Sequence, residues 1–113
     1  MLTEELKEQI IDRIKRTRPE KIILFGSHAY GVPGKDSDID LLVVTSDDFI
    51  PQNFSEKNAI YLSVSDTLTE IEKKFPIDLI VHTKEMFRRF VEIDSMFARK
   101  IIASGAVLYE KSS

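Results

Sequence analysis

Cysteine is absent from the 113-residue sequence, which excludes both a disulfide framework and a thiolate metal site. A chain without disulfides suits a reducing cytosol, and we therefore expect a cytoplasmic protein. No apolar run approaches the length that crosses a bilayer. Residues 1–15 are charged throughout and lack the apolar segment of a signal peptide, so we expect a protein that acts without a membrane.

An excess of positive charge is also lacking. Sixteen basic residues stand against 19 acidic ones, and the net charge is -3. The basic footprint of a stand-alone duplex-binding protein is therefore missing, although a nucleotide site is not excluded. Internal repeats and low-complexity stretches are absent as well. With 42% hydrophobic residues the chain has material for a core, and its length predicts one domain over residues 1–113.

Four segments have the apolar spacing of amphipathic helices. These predicted helices cover residues 3–18, 59–75, 83–92 and 95–104. Residues 46–55 are polar and predict a loop before the second helix. Thr3, Thr83 and Ser95 are placed to cap three of the helices.

The last two helices carry more large apolar residues than the others. We expect most of these residues in the core, and any excess over what one small domain can bury would mark a partner surface. The residues concerned are Met86, Phe87, Phe90, Val91, Met96 and Phe97.

Four short apolar runs predict strands at residues 21–25, 39–45, 77–82 and 106–109. The long connection between the second and third strands carries a helix, so the sheet is expected to be mixed or parallel in part. The sequence thus predicts an α/β (α+β) fold, in which helices pack on a mixed sheet of three to four strands.

Three acidic residues lie where a buried strand would be apolar. Asp38 and Asp40 stand at the beginning of the most apolar predicted strand, and Asp78 interrupts the next one. Residues two apart on a strand point to the same side, and grouped carboxylates are costly unless a cation or hydrogen bonds compensate them. Pairing of the two strands would bring the three acids together, and such oxygen ligands suit Mg²⁺ or Mn²⁺.

Gly26 and Ser27 follow the first predicted strand, where the chain must turn sharply. Glycine allows a phosphate to approach the backbone closely. A helix that begins at Ser27 would offer free N–H groups and a hydroxyl to phosphate oxygens. Carboxylates that bind metal beside a phosphate cradle are the components of phosphoryl and nucleotidyl transfer.

Two other ligand-binding motifs are excluded because required residues are missing. The glycines at 26 and 31 are spaced as in a P-loop, but Val32 and Pro33 replace the required Lys and Ser/Thr. Acids at alternate positions 36, 38 and 40 imitate an EF-hand loop, but Leu41 stands where that loop needs glycine.

The spacing Gly26-Ser27, ten residues, Asp38-x-Asp40 resembles the signature of the polymerase-β-like nucleotidyltransferase superfamily. The likeness is strongest to its shortest members, the minimal nucleotidyltransferases. Residues 23–31 and 36–44 carry the match, and Asp78 stands where the family has its third carboxylate. His28 departs from the residue that many members have at this position.

This resemblance implies a nucleotidyltransferase fold and a mechanism. Asp38 and Asp40 would bridge two Mg²⁺ ions, Asp78 would complete one of the two ion sites, and Gly26-Ser27 would hold the β- and γ-phosphates of ATP. Minimal nucleotidyltransferases are often antitoxins whose partner is an all-helical HEPN-type ribonuclease toxin. The resemblance therefore implies transfer of AMP to a hydroxyl group on such a toxin.

Two alternatives stay open. One is a non-catalytic module of the same fold that neutralises its partner by contact alone. The other is a small-molecule nucleotidyltransferase of the antibiotic-modifying kind, in which a homodimer could supply the missing walls of the substrate site. The acceptor, the base preference and the oligomeric state do not follow from the sequence.

For the remaining polar and charged residues near these motifs, we expect structural or surface roles. We expect Asp36 to be a turn or cap residue, although it could be a fourth acid of the site. His28 is expected to be a satisfied polar residue at the rim of the site, although it could touch phosphate, and His82 a structural residue. Pro33-Gly34 predicts a turn. A solvated surface is the expected role of the nearby cations, Lys35, Lys84, Arg88 and Arg89, although they could neutralise a triphosphate.

Overall fold

A computed structural model describes residues 2–31 and 37–112, and this part of the chain forms six helices and four strands. A short 3₁₀ turn, Asp66–Leu68, joins the third helix to the fourth. In chain order the elements are α1 (Glu4–Lys15), β1 (Lys21–Phe25), α2 (Ser27–Tyr30), β2 (Ile39–Val44), α3 (Phe54–Ser65), α4 (Thr69–Glu72), β3 (Ile77–His82), α5 (Lys84–Ile93), α6 (Met96–Ser104) and β4 (Ala106–Glu110).

The four strands form one sheet in the order β3-β2-β1-β4. Strands β2 and β3 run parallel, whereas β1 is antiparallel to both of its neighbours, β2 and β4. The mixed sheet predicted from the sequence is therefore confirmed. Since α3 and α4 lie between the two parallel strands in the chain, they supply the crossover that a parallel pair requires.

Both faces of the sheet are covered, which explains why β2 is apolar almost throughout. On one face, Ile39, Leu41 and Val43 pack into a cluster with buried side chains of α1, α3 and α4. On the other face, Leu42 and Val44 pack with Ile101 of α6 and with the partly buried aromatic rings of α5.

The predicted helix over residues 59–75 has the wrong beginning and is not continuous. Helix α3 begins at Phe54, because the Asn53 side chain accepts a hydrogen bond from the Glu56 amide and caps it. The polar residues that predicted a loop here face solvent in its first turn. The 3₁₀ turn interrupts the helix where Thr67 Oγ1 donates to the Val64 carbonyl at 2.7 Å, a local bond that competes with regular helix.

The caps of α1, α5 and α6 are confirmed. Thr3, Thr83 and Ser95 each accept a hydrogen bond from a first-turn amide. Between α5 and α6, Asp94 adopts the left-handed conformation with φ of 56°. The chain therefore reverses within two residues, and the two helices lie on the same face of the sheet as Leu42 and Val44.

The prediction that the apolar residues of α5 and α6 belong to the core is partly wrong. Phe87 and Phe90 are partly buried against the sheet. Met96 is 88% exposed, however, and Phe97 and Val91 are also exposed. The two helices carry more apolar surface than the sheet can cover.

His82 has the structural role that was expected. It lies at the end of β3, and its ring centroid is 5.1 Å from that of Phe90 and 6.3 Å from that of Phe87. Burial, followed by the positive charge of Lys57, lowers the pKa of His82 below its ordinary value. Burial thus favours the neutral form of the imidazole. No helix in the described residues is long and apolar enough to cross a membrane.

Candidate active site

The parallel pairing of β2 and β3 places Asp40 directly beside Asp78. The two residues are partners in the register of the strands, so their side chains leave the same face of the sheet. Their carboxyl groups approach closely enough to share a hydrogen bond. The prediction that strand pairing brings these two acids together is confirmed.

The pKa of Asp40 is raised above its ordinary value of 3.8. Burial is the largest cause, followed by the negative charges of Asp78 and Asp38, and the hydrogen bond that protonated Asp40 donates to Asp78 acts in the same direction. The charge of His28 has the opposite effect. Grouped acids in a partly desolvated position form a place where a cation would relieve electrostatic repulsion.

Asp38 lies beside this pair rather than within it. It is exposed, immediately precedes β2, and is near enough to Asp40 for its charge to raise the pKa of that residue. Within residues 2–31 and 37–112, no three His, Cys, Asp or Glu side chains already converge as a complete metal site. The donor set consists of carboxylate oxygens, whose chemistry fits Mg²⁺ or Mn²⁺.

The Asp40 carboxylate packs against the backbone of Gly26. Gly26 connects β1 to α2 with φ of 71°, a conformation that side-chain-bearing residues rarely adopt. A Cβ atom at this position would lie 1.8 Å from Asp40 Oδ2 and 2.8 Å from Asp40 Cγ. The sequence suggested that Gly26 leaves room for a phosphate, whereas the structure shows that it first leaves room for an acid.

Ser27 begins α2, as the sequence predicts. The amides of Ala29 and Tyr30 both donate to the Gly26 carbonyl, at 3.0 and 3.1 Å, and close the first turn of this short helix. Gly31 ends the helix in a left-handed conformation with φ of 90°. The Gly26-Ser27 segment is thereby fixed at the same end of the sheet as Asp40, because Phe25 and Asp40 are partners across β1 and β2.

His28 connects α2 to the segment that carries Asp38. Its Nε2 atom is 3.2 Å from the Ser37 carbonyl oxygen. Its Nδ1 atom is buried and has no hydrogen-bond partner among the residues that the structure describes. The expected satisfied polar residue is thus satisfied at one ring nitrogen only.

Three of the cations that the sequence singled out pair with acids or face solvent. Lys84 follows the end of β3 opposite to Asp78, and it pairs with Asp48 at 2.8 Å. Arg88 pairs with Glu85 and Glu92, and Arg89 is exposed, so the prediction of a solvated helix face is confirmed for these three. The predictions for Lys35, Asp36 and Pro33-Gly34 cannot be compared, since Lys35, Asp36 and the turn lie outside the described residues.

One cation beside α2 was not singled out from the sequence. Lys100 of α6 places its Nζ atom 4.8 Å from the centre of the Tyr30 ring. Its spacing in the sequence is that of any basic residue on an amphipathic helix. Only the packing of α6 shows that it lies near the Gly26-Ser27 segment.

Comparison with known proteins identifies the family of this site. The family model "Polymerase beta, Nucleotidyltransferase" matches residues 8–113. The chain belongs to this nucleotidyltransferase family. It is also 33% identical over 114 residues to a Methanocaldococcus jannaschii protein that is named provisionally as a protein adenylyltransferase; the match covers 96% of this chain and 100% of that one. A nucleotidyltransferase activity therefore follows from membership.

Solved structures with this fold come from toxin–antitoxin complexes. One, a toxin–antitoxin complex with AMP-PNP, matches with a TM-score of 0.58 and 18% identity, over 94% of this chain and 74% of that chain. Another is the tri-AMPylated HEPN toxin of Shewanella oneidensis in complex with MNT antitoxin, with a TM-score of 0.54 and 14% identity, over 97% and 74%. At these identities the likeness shows the fold.

Proposed function

We propose that this chain transfers AMP from ATP to a hydroxyl group on a partner protein, in a reaction that depends on two Mg²⁺ ions or on Mn²⁺ in their place. The observation that carries the proposal is the Asp40–Asp78 carboxyl pair, in which Asp40 packs against the backbone of Gly26. The provisional adenylyltransferase name of the Methanocaldococcus jannaschii relative and the AMP-PNP in a structure of the same fold support ATP as the donor. The partner that fits these comparisons is a HEPN-type toxin.

The residues of the site would have different roles in the reaction. Asp38, Asp40 and Asp78 would hold the metal ions, and the chemistry that Mg²⁺ supplies is neutralisation of charge on the triphosphate and on the attacking oxygen. Gly26 and Ser27 would bind the β- and γ-phosphates. The acceptor oxygen forms a bond to the α-phosphorus while the bond to the β-phosphate oxygen breaks, and pyrophosphate leaves. The Asp78 carboxylate would accept the proton of the acceptor hydroxyl.

An exposed apolar surface next to the carboxylates supports a protein as the acceptor. We call Ile93, Met96 and Phe97 the α5–α6 patch; Ile93 is 75% and Met96 88% exposed. The ring of Phe97 packs edge-on against Phe25 at 5.7 Å. Since Phe25 is the strand partner of Asp40, the patch adjoins the end of the sheet that bears the acids.

A surface of this kind is matched by apolar side chains of another protein. The acceptor hydroxyl must reach the carboxylates, and the patch lies on the same sheet face beside them. We therefore propose that it binds the segment of the partner that presents the hydroxyl, with aliphatic or aromatic residues next to the residue that is modified.

Transfer of label tests the proposed activity. With ATP labelled at the α-phosphate, Mg²⁺ and the product of the neighbouring gene, we expect label on the partner protein and none when the label is at the γ-phosphate. Omission of Mg²⁺ should abolish transfer. No transfer from any of the four nucleotides would overturn the proposal. Full neutralisation of the partner by the Asp38→Asn, Asp40→Asn double variant would instead favour the non-catalytic module.

The α5–α6 patch is tested by introducing charge. In the Ile93→Glu, Met96→Glu double variant we expect partner labelling to fall about tenfold or more, because burial of two carboxylates against an apolar surface is unfavourable. ATP binding should be retained. The matched control is Phe54→Glu, which alters an aromatic residue that is 80% exposed and begins α3 on the opposite face of the sheet.

Equal labelling by the double variant and the wild type would contradict this docking surface. A wild-type dimer that the double variant dissociates would assign the surface to a second copy of the chain. Sedimentation of the isolated chain distinguishes these outcomes from loss of partner binding.

A further inference from the structure

A hydrogen bond joins α2 to the residue that precedes Asp38. His28 Nε2 lies 3.2 Å from the carbonyl oxygen of Ser37. A carbonyl oxygen only accepts, so Nε2 carries the hydrogen and donates. His28 is the second residue of α2, the helix that begins at Ser27, and Ser37 immediately precedes Asp38. The bond therefore fastens the segment before Asp38 to the segment proposed to hold phosphate.

Asp38 needs such an attachment because it lies outside the regular pairing of the sheet. Strand β2 begins at Ile39, whose amide donates to the Pro76 carbonyl at 2.9 Å. Asp40 and Asp78 are fixed by the strand register, but Asp38 is exposed on the approach to β2. Its position relative to the other two acids depends on what holds the backbone just before it.

The His28 side chain is built into this place. The residue is half-buried, and its Nδ1 atom is withdrawn from solvent. The ring is also close enough to Asp40 for the two charges to interact. A histidine with only a surface role would not be expected to place its ring between α2 and the beginning of β2, where Asp40 lies.

We infer that His28 is a positioning residue that holds Asp38 beside Asp40 and Asp78, so that the three carboxylates converge when a divalent cation binds. The effect on catalysis rests on the proposed function, whereas the effect on cation binding does not. Partners that orient metal ligands have large effects for their distance from the ion, and their loss costs about 10- to 100-fold in metal affinity or activity.

Two amide side chains give a matched test. The amide nitrogen of Gln is as many bonds from Cα as His Nε2, whereas that of Asn reaches only as far as Nδ1. His28→Gln therefore retains a donor toward the Ser37 carbonyl, and His28→Asn and His28→Leu do not. The measurements are Mn²⁺ affinity of the nucleotide-free protein, the thermal midpoint, and kcat and KM for ATP in partner labelling.

We expect His28→Asn and His28→Leu to lose about tenfold in Mn²⁺ affinity and in kcat, with KM for ATP changed by less than about threefold. His28→Gln should stay within about threefold of the wild type. Wild-type Mn²⁺ affinity in His28→Leu would overturn the inference. So would equal losses in all three variants that follow their thermal midpoints, since these would indicate a purely structural residue.

The two proposals fail in different ways. If the wild type binds Mn²⁺ but transfers no nucleotide, the proposed function fails, and the Mn²⁺ affinities of the three variants still decide the role of His28. If the wild type binds no Mn²⁺, the convergence of the carboxylates on a cation is itself contradicted.

Discussion

Gly26→Ala is expected to reduce nucleotidyl transfer by about a hundredfold or more, the scale on which ångström displacements of reacting groups act. The new Cβ atom would lie 1.8 Å from Asp40 Oδ2, a distance that two non-bonded heavy atoms cannot adopt. Either the Asp40 carboxylate turns away from Asp78 or the turn from β1 into α2 moves. Both changes separate the acids from Gly26-Ser27, and steady-state rates of partner labelling would measure the loss.

Gly31→Ala is the matched control. Gly31 also has a left-handed backbone, with φ of 90°, but a Cβ atom there would meet no described atom within 4 Å. Backbone strain should therefore lower the free energy of unfolding by about 1–2 kcal/mol in Gly31→Ala and by more in Gly26→Ala, where the clash with Asp40 adds to it. Only Gly26→Ala should reduce transfer about a hundredfold. Comparable activities in the two variants would show that contact with Asp40 is not what requires glycine at position 26.

Asp40→Asn is expected to slow transfer about a thousandfold and to stabilise the cation-free protein. The pKa of Asp40 is raised, by burial first and then by Asp78 and Asp38, so its ionised form destabilises the folded state at neutral pH. This penalty disappears as the pH falls through the raised pKa, and the neutral amide removes it at every pH. Loss of a metal ligand that contributes about 4 kcal/mol would slow transfer about a thousandfold.

Thermal unfolding separates the two effects. The thermal midpoint of the wild type should rise on addition of Mg²⁺, because a ligand that binds only the folded state stabilises it, and the midpoint of Asp40→Asn should respond little. Without Mg²⁺, the variant should unfold at a higher temperature than the wild type. Asp66→Asn, which alters an exposed acid at the beginning of the 3₁₀ turn, is the control for charge alone. A variant less stable than the wild type without Mg²⁺ would contradict repulsion among the acids.

Local patterns in the sequence were sufficient for most elements. The strand at residues 21–25 and that at 77–82 have the predicted bounds, because short apolar runs between turn residues have few other stable conformations in a covered sheet. The caps of α1, α5 and α6 were also predictable, since a capping side chain bonds to an amide only three residues away. The start of α3 was missed because its first turn is polar and lies in solvent.

The candidate site was predictable to the extent that strand periodicity determines it. Asp40 and Asp78 each interrupt an apolar strand, and the pairing of the strands brings them together. These features depend on residue type and spacing, which the sequence states directly.

The sequence by itself determined the strands, the acidic pair and the beginning of α2 at Ser27. Only the tertiary structure decided that Gly26 supports Asp40, that His28 holds the backbone before Asp38, and that Met96 faces solvent. The physical reason is the range of the interactions. Periodicity and capping act within a few residues, whereas these contacts join separate elements and depend on strand register and on how much apolar surface the sheet can cover.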